Sequence, residues 1–350
     1  MPGTLRIFVP RMKCPCRLGK NTDTNFLFTL RKEKNSIVTR TDFFGKSTGL
    51  LLALVFLLPS LTVAANITVN CNAGASIGGA LKTAKAGDTL LVSGTCLEHV
   101  EITEALDGLT LDGQNTTTIS GPNPDVNVIQ LIGVRGVTVR GFRVTGGRDG
   151  ISLYGVQRVS LYSNTIESTG RDAIQVQRAS SFSDIISNSI QNNPRHGVFI
   201  NEASSVRIGF AIGIEADADA RPNLIQGNGA QGILVSRASS ARIHHNWIRN
   251  NRQNGISVEQ FSHAAIANNA IEGNTLDGIL VRQSSAVNLG TDTGNNPDNL
   301  PNSSGTPNGQ WGIEIIGAGA YADGRLGTLN GVNGQRRYIP DTNDSLLPAF

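Results

Sequence analysis

Three pairs of neighbouring residues combine a guanidinium group with an acidic or imidazole side chain at a nearly constant spacing. They are Arg148-Asp149, Arg171-Asp172 and Arg195-His196, and successive arginines are 23 and 24 residues apart. Guanidinium groups form paired hydrogen bonds with carboxylates, so a row of them suits the acidic groups of a uronate polysaccharide. The residue types therefore predict a binding or catalytic site for an acidic sugar chain, provided that the fold brings the three pairs together.

The same side chains would support several kinds of chemistry. In a lyase or an epimerase, His196 or an arginine removes the proton beside a uronate carboxylate, and a nearby arginine stabilises the developing negative charge. In a hydrolase, Asp149 and Asp172 act as paired acid and base or nucleophile. In a third arrangement the two carboxylates hold Ca²⁺, which bridges to the substrate. A further interpretation needs no substrate, because stacked arginines and aspartates also form ordinary surface ion pairs.

The spacing of the pairs follows a repeat that runs from Gly136 to Val281. A Gly-Ile-x-Val tetrapeptide, or a close relative, and an Asn-x-Ile tripeptide recur together, which indicates one structural unit copied several times. The tetrapeptides begin at Gly150, Ala173, Gly197, Gly232, Gly255 and Gly278, and the tripeptides at Asn164, Asn188, Asn223, Asn246 and Asn269. Three short strands in about 23 residues predict a parallel β-helix, with the asparagines stacked as part of the scaffold.

Register along a β-helix decides which side chains share a face. Equivalent residues of successive coils stack about 4.8 Å apart, so the three arginines are expected to form a column on neighbouring coils. The outward positions of the adjoining strands would add substrate-binding side chains, namely Tyr154, Gln175, Gln177, Phe199 and Asn201. We therefore expect a polar face that binds the substrate beside the six residues of the three pairs.

Two copies of the repeat are longer than the others. The step from Gly197 to Gly232 is 35 residues and the step from Gly278 to Gly312 is 34 residues, which indicates inserted loops on one side of the solenoid. The first insertion carries Asp217 and Asp219, whose carboxylates are candidate Ca²⁺ ligands. A solvated acidic loop is the simpler interpretation of the same residues.

The opening segment and the repeat together resemble a known superfamily. Residues 69–71, 77–81, 86–92, 94–96 and 100–102 are similar to the entry coil of right-handed parallel β-helix proteins with the pectin-lyase-like fold, and the two repeated motifs resemble the internal repeat of that superfamily. The resemblance implies an all-β, right-handed single-stranded parallel β-helix. That fold carries polyuronate lyases, galacturonases, alginate epimerases, assembly factors and adhesins, so it does not determine one activity. The catalytic signatures of galacturonases and alginate epimerases are absent from this sequence.

The chain before the β-helix reads as a leader. Residues 49–58 form a short apolar run that follows basic residues and precedes small ones, which predicts a signal peptide within residues 1–65 and export of the mature chain. The run is too short to span a bilayer comfortably, and the long stretch before it suggests that the translation start is mis-assigned. Residues 76–85 are expected to form a short helix, with Ser76 as its N-cap and Gly87 as its stop, that caps the first coil.

The charge and the cysteines of the chain after the leader bear on its partners and its disulfide. From Asn66 onward the chain has 20 basic and 24 acidic residues, which does not suggest a nucleic-acid partner. In an exported protein Cys71 and Cys96 are expected to form a disulfide. We expect residues 66–316 to form the β-helix domain and residues 317–350, rich in glycine and asparagine, to form a tail or cap. No cofactor is certain, and Ca²⁺ is the candidate.

The sequence therefore predicts an exported protein that binds an acidic polysaccharide, with β-elimination or epimerisation as the reactions that its side chains would support. The alternative is a non-catalytic surface or periplasmic β-helix protein that acts as an adhesin, scaffold or assembly factor. Pattern alone does not decide whether the chain is an enzyme.

Overall fold

The fold is a solenoid of short strands joined by tight corners. The computed structural model describes residues 64–210, 220–290, 300–317 and 319–340. One α-helix, α1 (Ile77–Leu81), and two short 3-10 helices, Cys71–Ala73 and Glu104–Leu106, interrupt the strands. The predicted signal peptide and the candidate Ca²⁺ ligands Asp217 and Asp219 lie outside the described residues, apart from Ala64 and Ala65.

The strands follow one another along the chain with few residues between them. In order they are β1 Asn66–Asn70, β2 Thr89–Ser93, β3 Thr95–Leu97, β4 Val100–Thr103, β5 Thr110–Gly121, β6 Ile129–Ile132, β7 Thr138–Gly146, β8 Ile151–Tyr154, β9 Ser160–Tyr162, β10 Thr165–Thr169, β11 Ile174–Gln177, β12 Ser183–Ile186, β13 Ser189–Gln191, β14 Val198–Ile200, β15 Ser205–Ile208, β16 Leu224–Gln226, β17 Ile233–Val235, β18 Ser240–His244, β19 Trp247–Arg249, β20 Ile256–Val258, β21 His263–Ala267, β22 Ala270–Glu272, β23 Ile279–Arg282, β24 Ala286–Leu289, β25 Trp311–Ile316, β26 Tyr321–Gly324 and β27 Gly334–Ile339.

Two sheets run along the solenoid. The first has ten strands in the order β27-β25-β23-β20-β17-β14-β11-β8-β6-β4, and the other seventeen described strands form the second. Neighbours such as β8, β11 and β14 pair in parallel, with Ile174 opposite both Ile151 and Val198. The predicted parallel β-helix is confirmed, because each copy of the repeat pairs with the copy before and after it.

Alternation along the strands of the ten-stranded sheet explains the core. Ile151 and Leu153 of β8 and Ile174 and Val176 of β11 point into the solenoid and are fully buried. The coils that follow supply Ile and Val at the same positions, so a continuous apolar column fills the interior. Burial of branched aliphatic side chains is the main stabilising contribution to such a stack.

The predicted asparagine ladder is present and is fully hydrogen-bonded. Asn188 Oδ1 accepts hydrogen bonds from the backbone N–H of Asn164 at 3.0 Å and from its side-chain nitrogen at 3.1 Å, and the Asn188 side chain in turn donates to Asn223 Oδ1 at 3.1 Å. Two further ladders were not anticipated from the sequence. One is formed by Asn193, Asn228, Asn251, Asn274 and Asn308, and the other by Ser180, Ser204, Ser239, Ser262 and Ser285.

The N-terminal cap differs in length from the prediction. Ser76 is the N-cap, and its side chain accepts a hydrogen bond from the Gly79 N–H at 3.0 Å, as expected. The helix ends at Leu81, however, whereas the sequence predicted that it would continue to residue 85. Two consecutive glycines weaken it, and the Lys85 N–H donates to Asp88 Oδ2 at 2.8 Å, which stabilises a turn instead of another helical turn.

The first coils are joined by a disulfide between Cys71 and Cys96, whose Cα atoms are 5.1 Å apart. The predicted pair is therefore formed. At the other end, β26 pairs with β24 and β27 pairs with β25, so strand pairing continues past residue 316. The division into a domain and a tail at that residue stays a prediction. None of the helices in the described residues has the length and apolarity needed to cross a membrane.

Candidate functional site

The three residue pairs lie at the corner that leads into β8, β11 and β14. Asp149 precedes β8 by two residues, and Asp172 and His196 stand at the same position before the next two strands. Backbone hydrogen bonds hold these corners together, from the Gly150 N–H to the Asp172 carbonyl at 3.0 Å and from the Ala173 N–H to the His196 carbonyl at 3.0 Å. The repeat thus places the pairs on adjacent coils, as the register predicted.

Asp149 is fully buried and its oxygens are occupied by hydrogen bonds. Arg171 binds it with both Nε, at 2.9 Å, and Nη2, at 2.7 Å. Arg148 Nε lies 3.3 Å from the same carboxylate, and the backbone N–H of Asp172 donates to it at 3.1 Å. A carboxylate with four donors and no solvent contact is poorly suited to act as an acid, a base or a nucleophile.

Asp172 repeats this arrangement one coil further on. Its Oδ1 accepts a hydrogen bond from the His196 backbone N–H at 3.0 Å, while Arg171 and Arg195 lie 3.4 and 3.5 Å from its Oδ2. The same position carries Asn254 and Asp277 in later coils, and each side chain there again accepts from the backbone of the next coil, at 2.9 and 3.0 Å. This position therefore carries two short ladders, separated by His196 and Gln231, and the sequence pattern concealed them because the residue type changes from coil to coil.

Burial raises the pKa of Asp172 to about 6, although Arg195 and the His196 N–H favour the charged form. The unfolded chain ionises this group near 3.8, so the native state loses stability as the pH rises from about 4 to 6 and carries the full penalty above that range. His196 acts in the opposite direction. Its pKa is lowered to about 3 by burial, then by Arg195 and Arg171, so the native state gains stability as the pH rises towards 6.5.

The variant Asp172→Asn is expected to separate these two effects. Asparagine keeps the acceptor for the His196 N–H but removes the buried charge, so stability at pH 7 relative to pH 4 should increase by roughly 2 kcal/mol. Chemical denaturation at pH 4, 5, 6 and 7 measures the difference. Wild-type and variant curves with the same pH dependence would contradict the assignment.

His196 lies next to the two aspartates and is only 5% exposed. Its ring packs against Phe199, with 5.4 Å between centroids, and the Arg195 guanidinium lies 5.4 Å from the centroid of the same phenyl ring. The Nδ1 atom has no hydrogen-bond partner. At neutral pH the imidazole is uncharged, so it has a lone pair that can accept a proton when a substrate anion offsets the neighbouring arginines.

The arginines, in contrast, reach solvent. The side chains of Arg148, Arg171 and Arg195, which we call the arginine column, are 38%, 33% and 42% exposed, whereas both aspartates beneath them are 0% exposed. Arg178 adds another exposed cation beside the column, with its guanidinium 5.1 Å from the centroid of the Tyr154 ring. Arg178 lies outside the repeated pair motif, and for that reason the sequence did not single it out.

The predicted substrate-binding residues are less accessible than expected. Gln175 accepts hydrogen bonds from Arg171 Nη2 at 3.3 Å and from Gln177 Nε2 at 2.9 Å, and both glutamines are buried. Phe199 and Asn201 are buried as well, and only Tyr154 is partly exposed. Any ligand at this corner therefore meets the guanidinium groups first. Of the buried side chains, Gln175 contacts Arg171 and Phe199 contacts Arg195.

The site does not fit Ca²⁺. Both buried carboxylates already pair with arginines, and the only cluster of potential metal ligands in the described residues consists of Cys71, Cys96 and Glu98. The two cysteines form the disulfide, so they offer no thiolate. The scheme in which Asp149 and Asp172 hold Ca²⁺ thus has no support from this geometry.

A second acidic cluster further along the ten-stranded sheet was not anticipated. Burial raises the pKa of Asp277 to about 7, and the nearby Glu314 carboxylate acts in the same direction. Glu314 pairs with Arg337 at 3.1 Å, and Arg337 lies 5.9 Å from the Trp311 ring centroid. Asp277 occupies the ladder position, and its partners come from the last coils, beyond the part of the sequence where the repeat is regular.

Comparison with known proteins identifies the fold. Pectate lyase Pel9A superimposes with a TM-score of 0.51 at 11% identity, covering 83% of this chain and 82% of that chain. The A-module of mannuronan C-5 epimerase AlgE4 from Azotobacter vinelandii gives a TM-score of 0.48 at 15% identity, covering 79% and 84% of the two chains. The alginate lyase from Paenibacillus sp. str. FPU-7 gives a TM-score of 0.45 at 16% identity, covering 79% of this chain and 98% of that chain. At such identities the likeness to Pel9A shows the fold alone.

Sequence comparison gives the family. None of the curated proteins matches the chain. The sequence profile of the family described as right handed beta helix region matches residues 91–212 and 127–296, which together make up more than half of the chain. With the parallel strand pairing and the stacked ladders described above, this match shows that the chain belongs to the right-handed β-helix family.

Proposed function

We propose that this is an exported protein that binds an acidic polysaccharide through the arginine column. The observation that carries the proposal is the separation of charge at the corner before β8, β11 and β14. Three guanidinium groups are one third or more exposed, and the two carboxylates that face them are fully buried. A ligand that approaches from solvent therefore meets positive charge at successive coils, about 4.8 Å apart.

Elimination or epimerisation is the chemistry that these residues would support. An arginine that pairs with the uronate carboxylate withdraws charge and stabilises the enolate-like anion that forms when the neighbouring proton is removed. Arg195 is the best placed for this role, because it is the most exposed of the three and makes the weakest contact with an aspartate. His196, uncharged and next to Arg195, is our candidate for the base.

Binding by the variant Arg195→Ala tests the proposal. Full-length protein is titrated with polygalacturonate and with alginate at low and high salt. Loss of one charge-assisted contact should weaken binding about tenfold and reduce its dependence on salt. Arg171→Ala should give a larger loss, but it also removes the partner of Asp149, so its folding must be checked by circular dichroism.

Arg143→Ala is the matched control. Arg143 is 51% exposed and pairs with Glu167 at 2.7 Å on the seventeen-stranded sheet, away from the arginine column. The control should bind as the wild type does. If Arg195→Ala also binds like the wild type, or if the wild type binds neither polymer, the proposed function is wrong.

A non-catalytic binding protein is the second candidate, and the saturation of Asp149 favours it. Of the two buried aspartates, this one has no vacant acceptor, so the site offers fewer catalytic groups than its sequence suggests. Two assays distinguish an enzyme from a binding protein. Ultraviolet absorbance detects the unsaturated uronate ends that elimination forms, and NMR detects a change in uronate configuration. Activity in the wild type and its absence in His196→Ala with unchanged binding would support an enzyme, and binding without turnover would support the second candidate.

A further inference from the structure

A groove of about 460 Å³ crosses the seventeen-stranded sheet, away from the arginine column. It lies over β12, β15, β18 and β21, and its volume is within the range of sites for small ligands. Its floor includes Ser205 and Ser240, and Phe182 and His263 stand at its two ends. Nothing in the proposed function uses this surface.

The groove arises from the register of four consecutive strands. Ser205 is opposite Ser240, and Ser240 is opposite His263. Phe182 immediately precedes Ser183, which is opposite Val206. Two small side chains therefore lie between two rings, and the rings are three strand spacings apart, or about 14 Å.

Phe182 is 67% exposed, so its ring is accessible to a ligand in the groove. The face of an aromatic ring is electron-rich, and the C–H bonds of a sugar ring carry a small positive charge, so the two pack together. The serine hydroxyls on the floor can donate to and accept from sugar hydroxyls. A floor of hydroxyl groups between two rings is thus better suited to a saccharide than to a small inorganic anion.

One wall of the groove is cationic. Arg207 is opposite Arg242 in neighbouring strands. Arg207 Nε donates to Asp184 Oδ1 at 2.6 Å, which holds the guanidinium in place. The Arg242 guanidinium lies 5.4 Å from the centroid of the Phe210 ring, and burial and then Arg207 lower the pKa of Arg242. An acidic group on the ligand would accept charge-assisted hydrogen bonds from guanidinium groups on this wall.

We propose that this groove is a second, independent binding site and that it holds a short acidic oligosaccharide. The chain of sugar rings runs along the solenoid axis from Phe182 towards His263, with its acidic groups facing Arg207 and Arg242. This site does not depend on the arginine column, because the two surfaces belong to different sheets.

Isothermal titration of the full chain with oligogalacturonate and with alginate oligosaccharides tests the proposal. The wild type should show two binding events. Phe182→Ala and Arg207→Gln should each weaken one of them about tenfold and leave the other unchanged. Arg195→Ala should weaken only the event at the arginine column and leave the event at the groove unchanged. The variants therefore show which of the two sites binds the ligand.

The chain offers a close control for the aromatic substitution. Phe261 is 76% exposed and has a backbone φ of 61°, against 67% and 54° for Phe182, and it does not line the groove. Phe261→Ala should leave both events unchanged. A single binding event that neither Phe182→Ala nor Arg207→Gln affects would overturn the proposal, as would the absence of binding or an equal effect of Phe261→Ala.

Discussion

Replacing Asn188 with alanine is expected to lower the free energy of unfolding by about 4 kcal/mol. The Asn188 side chain accepts two hydrogen bonds from Asn164, and it donates to the Leu161 carbonyl at 2.8 Å, the Ile186 carbonyl at 3.0 Å and Asn223 Oδ1 at 3.1 Å. Alanine leaves donors and acceptors of two neighbouring coils unpaired in a buried position, since Asn188 is only 2% exposed. Chemical denaturation measures the loss.

Asn333→Ala is a suitable comparison for the ladder substitution. Asn333 is exposed, and only its backbone N–H makes a hydrogen bond, to the Gln310 carbonyl at 2.9 Å. Its replacement should change stability by less than about 0.5 kcal/mol. If Asn188→Ala were equally mild, the ladder would be an incidental feature of the corner and not part of what holds the coils together.

At Asp149, alanine and asparagine are expected to have very different effects. Asp149→Ala removes the partner of Arg171 and the acceptor of the Asp172 N–H, which should cost about 3 kcal/mol. Asp149→Asn keeps an oxygen for the Asp172 N–H, and Asn254 already occupies the equivalent position, so the cost should be about 1 kcal/mol. Thermal and chemical denaturation of the two variants give the comparison.

The same pair of variants separates a scaffold role from a catalytic role. If Asp149 were an essential acid or nucleophile, Asp149→Asn would abolish any turnover while leaving the fold intact. The ladder assignment predicts the opposite order, in which Asp149→Ala fails through unfolding and Asp149→Asn retains whatever activity the wild type has. Equal stability of both variants would contradict the ladder assignment.

The solenoid could be predicted from the sequence because the period of a repeat indicates which residues of successive coils lie next to one another. The Gly-Ile-x-Val and Asn-x-Ile motifs each recur at one position of successive coils, so their spacing indicated which strands pair and which side chains stack. The Ser76 N-cap was also predicted, since it depends on the local sequence, and the Cys71–Cys96 disulfide was predicted from the expected export of the chain. The helix α1 ends at Leu81, earlier than predicted, because two adjacent glycines disfavour a longer helix.

The repeat does not show which side chains of the candidate site are accessible to solvent. Alternation along β11 and β14 indicates that Gln175 and Phe199 point away from the core, but it does not show that neighbouring side chains bury them. The two short ladders formed by Asp149 and Asp172 and by Asn254 and Asp277 were hidden for a related reason. A ladder is defined by a shared hydrogen-bonding role, and that role is filled by two residue types.

The asparagine ladder also shows where this chain can change without losing its fold. Asn188 and Asn223 are 35 residues apart, and Asn269 and Asn302 are 33 residues apart, yet both pairs stack like pairs that are separated by 23 or 24 residues. The longer connections begin at the same place in their coils, after β15 and after β24. A residue added there extends the connection without altering the vertical contacts between coils. Residues can therefore be inserted at this place, by evolution or by design, without changing the strand pairing between successive coils.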